Sequence, residues 1–376
     1  MTINKKRLLS TFIDLVKIDS ESRNEKKVAE YIKNKLKKLK IRYDIDNSHI
    51  KTKSNHGNII ARIISNPKLP TIILSSHMDT VVPGNGIKPI IKKNYVSSAS
   101  STILGSDDKS GLAIILEILE IFSSKKLGHL NIEAAITTCE EIGLLGAKFL
   151  DYKLIKSKEG IVLDSMSPER LVVKGPASDF FSIQINGIEA HSGINPEQGL
   201  SSIVVASEII TKIKTGRINR NTTINIGKIN GGSAINIVPG RTTISCEIRG
   251  HNERTILAQL NKIKRILTAT EKKYKRINKK FYIKFTKERI YGAINLSRNS
   301  FIIKRILSSC KDLKYKINLV ETGGGADANF FIKNGVNTVN LGTGMREVHT
   351  KNEKLLLREF YQCADIVFNS LLERVN

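Results

Sequence analysis

Five places along the chain put a histidine or a carboxylate directly after an apolar, strand-like run or at the mouth of a helix. His77 and Asp79 follow "TIILSS", Asp107 and Asp108 lie in "GSDDKSG", Glu140 and Glu141 follow "NIEAAITTC", Asp164 ends "GIVLD", and His349 comes after "NTVNLGTGMREV". In open α/β sheets ligand sites collect beyond the carboxyl ends of the strands, so these side chains are expected in one cleft. Carboxylates crowded into one pocket repel each other and are driven toward protonation unless positive charge sits among them. A divalent cation supplies that charge. Mixed imidazole and carboxylate donors suit zinc, with cobalt or manganese as substitutes, and two such ions about 3.5–4 Å apart need a bridging carboxylate.

Asp79 shares a strand face with His77 through the two-residue repeat, so it can hold the second imidazole nitrogen and set the tautomer. Adjacent Glu140 and Glu141 allow a division of labour, one ligating while the other takes a proton from bound water. Taken alone, "CEEIG" also reads as the exposed, capped start of a helix.

The elements that must position these residues alternate. Strand-like runs at 58–64, 71–76, 131–138, 160–165 and 337–342 are separated in part by helices such as 110–124, which implies an α/β fold. The fold class is a mixed or largely parallel sheet flanked by helices. From about Ala177 to Lys287 the order becomes βαββαβ, a unit that closes on itself as a small antiparallel sheet with two helices on one side. It reads as an inserted lid domain, 177–287, within a discontinuous catalytic domain, 1–176 and 288–376. The hinges are expected near 174–178 and 288–292.

The 376 residues suffice for two domains. A net charge of +26 raises the question of a polyanion partner, but the excess is mostly lysine spread along the chain. Its densest run, "EKKYKRINKK" (271–280), reads as a solvated face. Aromatic residues are few, Trp is absent and no zinc-finger spacing occurs, so no nucleic-acid partner is expected. No apolar stretch reaches membrane-span length, and the first residues lack a signal-peptide pattern; a cytoplasmic protein with no membrane partner is expected. The four cysteines have no close pair and are expected to be reduced and structural. The glycines of "TGGGADAN" lack the Lys-Ser/Thr of a phosphate loop and read as backbone approaching a substrate.

"SSHMDTV", "GSDDKSG", "TTCEEIGLLGAK", "VLDS", "AHSG" and "GGGADANFF...NLGTGMREVHT" occur in the order found in the two-zinc peptidases and aminoacylases. Within that superfamily the chain most resembles the peptidase T-like aminopeptidases. The resemblance implies a metal-dependent aminopeptidase for short, tripeptide-like substrates, with two zinc ions. It implies that Asp107 bridges the metals, with His77 and Asp164 completing one site and Glu141 and His349 the other. Glu140 becomes the general base and Asp79 the partner of His77. The resemblance also implies a cis peptide after Asp107. From the lid, His191 is expected to stabilise the oxyanion, while Arg249 and Asn236 hold a substrate carboxylate, with Gly323, Gly324 and Gly325 close by. A carboxypeptidase or an N-acyl-amino-acid hydrolase uses the same metal cage, although Asp rather than Glu at position 164 goes with aminopeptidases and aminoacylases. Relatives differ in whether the lid dimerises, so a monomer and a homodimer both stand.

Overall fold

The computed structural model describes residues 2–99, 101–124 and 127–373, which divide into two compact units. The first comprises Met1–Val173, Asn295–Glu321 and Ala326–Asn376. Its nine-stranded sheet runs in the order Arg42–Ile45, Ile59–Ile63, Asn131–Thr137, Thr71–His77, Glu159–Ser165, Asn337–Gly342 and Arg170–Gly175, with two further short strands beyond. The four strands Asn131–Thr137, Thr71–His77, Glu159–Ser165 and Asn337–Gly342 are mutually parallel neighbours. Their buried, β-branched sequences suit a sheet covered on both faces. Their carboxyl ends therefore open on one edge, where four of the expected site segments begin.

Helix Ser106–Ser123 is apolar nearly all round, "GLAIILEILEIF", and is buried along almost its whole length against the strands Thr71–His77 and Glu159–Ser165. Burial on every side fixes where its first turn lies, and that turn carries Asp107 and Asp108. The Asp107–Asp108 peptide is cis.

The second unit comprises Lys174–Ile294 and Thr322–Gly325. Its five strands pair antiparallel in the order Gly216–Asn219, Thr222–Gly231, Arg241–Gly250, Ala177–Asn186 and Tyr282–Tyr291. Strict alternation in Arg241–Gly250 turns Ile244, Cys246 and Ile248 to one face, where helices Ser202–Lys212 and Glu253–Lys275 add Val205, Ile209 and Ile263. Strand Gly216–Asn219 has no counterpart in the expected βαββαβ pattern, because its mostly exposed, polar residues carry no apolar alternation.

The loop Thr322–Gly325 belongs to this unit, whereas 288–376 was expected wholly in the catalytic domain. Local bonds explain its place: His251 Nε2 donates to Thr322 O at 2.8 Å, and Arg249 Nη1 donates to Gly323 O at 3.3 Å. Gly325 lies so close to Tyr291 that a Cβ there would stand 2.5 Å from the phenol oxygen. The basic run ends the helix Glu253–Lys275 with exposed Lys272, Lys273 and Lys275, where cations complement the helix dipole. All four cysteines are buried and free. Among the described residues, no helix is long and apolar enough to cross a membrane.

Candidate metal centre

The parallel register sets His77 opposite Thr137, so the turn that follows Thr137 starts beside His77. Cys139 in that turn has φ 53, an uncommon left-handed conformation for a residue with a side chain. The turn is held by two buried acids. Asp79 accepts from Glu140 N at 2.9 Å and Glu141 N at 3.2 Å, and Glu25 accepts from Cys139 N at 3.0 Å. "CEEIG" is therefore a pinned turn, and the short helix Leu145–Lys148 begins only after it. His349 stands in a loop with φ 63, a second positive φ in a residue that carries a site side chain.

Asp107 ties the two imidazoles together. Its Oδ1 lies 3.2 Å from His77 Nε2 and its Oδ2 3.2 Å from His349 Nε2, while Glu141 lies 3.0 Å from His349 Nε2. Adjacent donors on a tetrahedral zinc with roughly 2.0 Å bonds stand roughly 3.3 Å apart, so these spacings fit a shared ion. His77, Asp107 and Asp164 bring one donor atom each within 4.8 Å of one another, as do Asp107, Glu141 and His349. His77, Glu140 and Glu141 form a third such group. The donor set fits a divalent cation, and Asp107 belongs to two of the three groups. Asp108 turns away, accepting from Gly111 N at 3.1 Å in the buried interior.

Asp79 departs from its expected contact in one respect. His77 Nδ1 lies 2.9 Å from the Asp79 backbone oxygen and 3.4 Å from its carboxylate, which is occupied by Ser22 Oγ and the Glu140 and Glu141 amides. With Nδ1 donating to that carbonyl, Nε2 is the nitrogen that faces Asp107 and would be free to ligate a cation once deprotonated.

Charge at this edge is out of balance. Burial pushes the Glu140 and Asp164 carboxyls well above the ordinary range, and raises Glu141 against the hydrogen bond from His349. Burial also acts to raise Asp107, but the hydrogen bonds of His349 and His77 hold it below the usual carboxylate range. Hydrogen bonds to Asp107 and then Glu141 lift His349 to about 10. Burial opposes a charged His77, yet hydrogen bonds to Asp107 and Asp79 raise it well above an ordinary imidazole. The shifts of Glu140, Asp164 and His349 run in the direction that offsets crowded negative charge, the task a cation at this edge would perform.

Three supporting residues were not foreseen. Asn340 brackets the Asp164 backbone, accepting from its N at 3.1 Å and donating to its O at 2.6 Å. Its one signal is a polar side chain inside the apolar strand "NTVNLG". Asp327 is buried and accepts from Thr137 Oγ1 at 2.5 Å, and burial pushes its carboxyl up to about 6. Glu353 accepts from the Asp107 amide at 3.1 Å.

The remaining expected residues lie in the second unit. His191 and Asn236 are exposed, and the residue after His191 bonds Asn236, Ser192 N donating to Asn236 O at 3.0 Å. Arg249 is partly buried and donates from Nε to Glu247 at 2.8 Å as well as to Gly323 O, so the structure brings Arg249 and Gly323 together.

Comparison with known proteins identifies the family. Residues 178–275 match the family described as a peptidase dimerisation domain, and residues 58–185 match peptidase family M28. The Bacillus subtilis protein YqjE is 36% identical, with 97% of each chain covered. The structure of an aminopeptidase PepT from Bacillus cereus is 35% identical, covers 98% of both chains and superposes with a TM-score of 0.88. A Staphylococcus aureus tripeptidase is 34% identical over 99% of this chain and 98% of its own, with a TM-score of 0.90. The chain thus belongs to the peptidase T-like metallopeptidases of the M20 family.

Proposed function

We propose that the protein is a two-zinc aminopeptidase that removes the N-terminal residue of short, tripeptide-like substrates in the cytoplasm. The observation that carries this reading is the Asp107 carboxylate, whose two oxygens face different imidazoles, His77 and His349, as a bridging ligand requires. His77, Asp107 and Asp164 would hold one ion, and Asp107, Glu141 and His349 the other; cobalt or manganese could substitute. When bound, the ions lower the pKa of a water and polarise the scissile carbonyl. Glu140 takes the water's proton and passes it to the leaving amine. Its place in the buried cluster beside His77 and Glu141 supports that role, since a general base must lie within reach of the proton it takes. Asp79 keeps His77 oriented and the Glu140–Glu141 turn fixed.

In the lid, His191 stabilises the oxyanion, and Arg249 with Asn236 receives the substrate carboxylate near Gly323, Gly324 and Gly325. Arg249→Ala is expected to raise KM for a tripeptide about 10–100-fold, the loss of a charged hydrogen-bonded partner, with little change for the same peptide amidated at its C-terminus. Equal effects on both peptides contradict the assignment. The match to a dimerisation domain supports a homodimer through the lid, with the monomer as the other expected state.

Metal binding is expected to release protons. In the metal-free protein His349 is raised to about 10, so its pairing with Asp107 and Glu141 stabilises the fold fully below the ordinary imidazole value and is lost as pH rises through about 10. A metal needs the neutral ring, so between those limits binding must expel that proton and affinity climbs with pH. Calorimetric zinc titration at pH 8 in two buffers of different ionisation enthalpy measures this; proton uptake, or no exchange, contradicts it.

The activity is tested with a tripeptide and its N-acetylated form, each with and without chelator. Cleavage of the free amine alone, abolished by chelator, is the expected result. Equal or preferred cleavage of the acetylated peptide makes the protein an N-acyl-amino-acid hydrolase instead, and release of the C-terminal residue first makes it a carboxypeptidase.

A further inference from the structure

Glu353 is buried, with 1% of its surface exposed, and its carboxylate accepts from one loop about 250 residues earlier in sequence. Its Oε2 accepts from Leu104 N and Gly105 N, both at 2.8 Å. Its Oε1 accepts from Ser106 Oγ at 2.6 Å and Asp107 N at 3.1 Å. Gly105 has φ 71, so the backbone turns left-handed at the point where successive amides converge. Converging amides around such a turn form an anion-binding nest, and here the chain's own carboxylate fills it. The same loop delivers Asp107, and Glu353 itself follows His349 after only three intervening residues.

We propose that Glu353 is a positioning residue, whose carboxylate in the 104–107 nest holds Asp107 at the spacing from His77 and His349 that two metal ions require. The inference rests on the two-metal reading of the centre. It follows from what each side chain can accept: four donors converge on two oxygens, and an amide in place of the carboxylate offers one acceptor oxygen and turns N–H toward N–H. A glutamine therefore preserves volume and packing while loosening the loop at Asp107. Removing the side chain altogether leaves a nest that a small carboxylate can enter from solution.

The test uses the full chain stripped of metal and titrated with Co²⁺, followed by visible absorption, for the native protein, Glu353→Gln and Glu353→Ala. Outer partners of metal ligands typically contribute about 10–100-fold in affinity. Glu353→Gln is expected to weaken Co²⁺ binding by about that factor and to alter the absorption bands, with the circular dichroism spectrum unchanged. In Glu353→Ala, added formate is expected to restore part of the affinity, and it should have no effect on the native protein. Native affinity and bands in Glu353→Gln overturn the proposal, as does weakened binding in Glu353→Ala that formate leaves untouched. If Glu353→Ala is not recovered folded, Glu353→Gln decides alone. Failure of the native protein to bind Co²⁺ is a different result, which removes the two-metal reading itself.

Discussion

Glu140→Ala is expected to lower kcat by about 10²–10⁴-fold, the usual contribution of a positioned general base, while the purified variant keeps two metal ions per chain. The reasoning starts from the turn after strand Asn131–Thr137, where adjacent glutamates are held by Asp79 through their backbone amides rather than by their own side chains. Glu141 lies 3.0 Å from His349 and is committed to that imidazole. Glu140 is buried beside the cluster and belongs only to the His77–Glu140–Glu141 donor group, which does not include Asp107. A ligand role for Glu140 predicts the opposite pattern. Metal analysis of the variant decides between them: loss of one ion with the activity makes Glu140 a ligand and ends its assignment as the base.

Asp107→Ala is expected to have the largest effect of any single substitution here, because two of the three donor groups share this carboxylate. Losing the ions forfeits their stabilisation of transition-state charge, which is worth several kcal/mol or on the order of 10³-fold in kcat and more. Bound metal should fall below one ion per chain, measured by elemental analysis. Asp108→Asn provides the contrast, since its carboxylate accepts from Gly111 N and takes no part in the donor groups. It is expected to retain both ions. Metal loss in Asp108→Asn with retention in Asp107→Ala would exchange the two roles.

How far the centre was legible in the sequence depended on the range of the contact involved. His77, Glu140, Glu141 and Asp164 could be read because each follows an apolar run, and parallel strands carry such positions to one edge whatever the loops do. Choosing Asp107 over Asp108 needed the resemblance, since neighbouring aspartates in one loop look alike until the backbone is known; only Asp107 turns to the imidazoles. Glu353 was invisible for another reason. Its partners lie some 250 residues away, and three of its four donors are backbone amides, which leave no mark in the residue code. The same holds for Asp79, whose expected bond to His77 is made more closely by its backbone oxygen, while the carboxylate serves the turn beside it. The lid's regular strands were legible from alternation, whereas Gly216–Asn219 and the placement of Thr322–Gly325 depend on pairing and local hydrogen bonds that polar sequence does not encode.

The central proposal is that His77, Asp107, Glu140, Glu141, Asp164 and His349 form a single centre for two metal ions that hydrolyses a peptide bond. The most direct test strips the full-length protein of metal, returns zinc in steps and follows tripeptide hydrolysis alongside bound zinc. The account predicts no turnover in the stripped protein and activity that reaches its plateau at two zinc ions per chain. Undiminished hydrolysis by the stripped protein, or zinc binding that never exceeds one ion per chain at full activity, would contradict it.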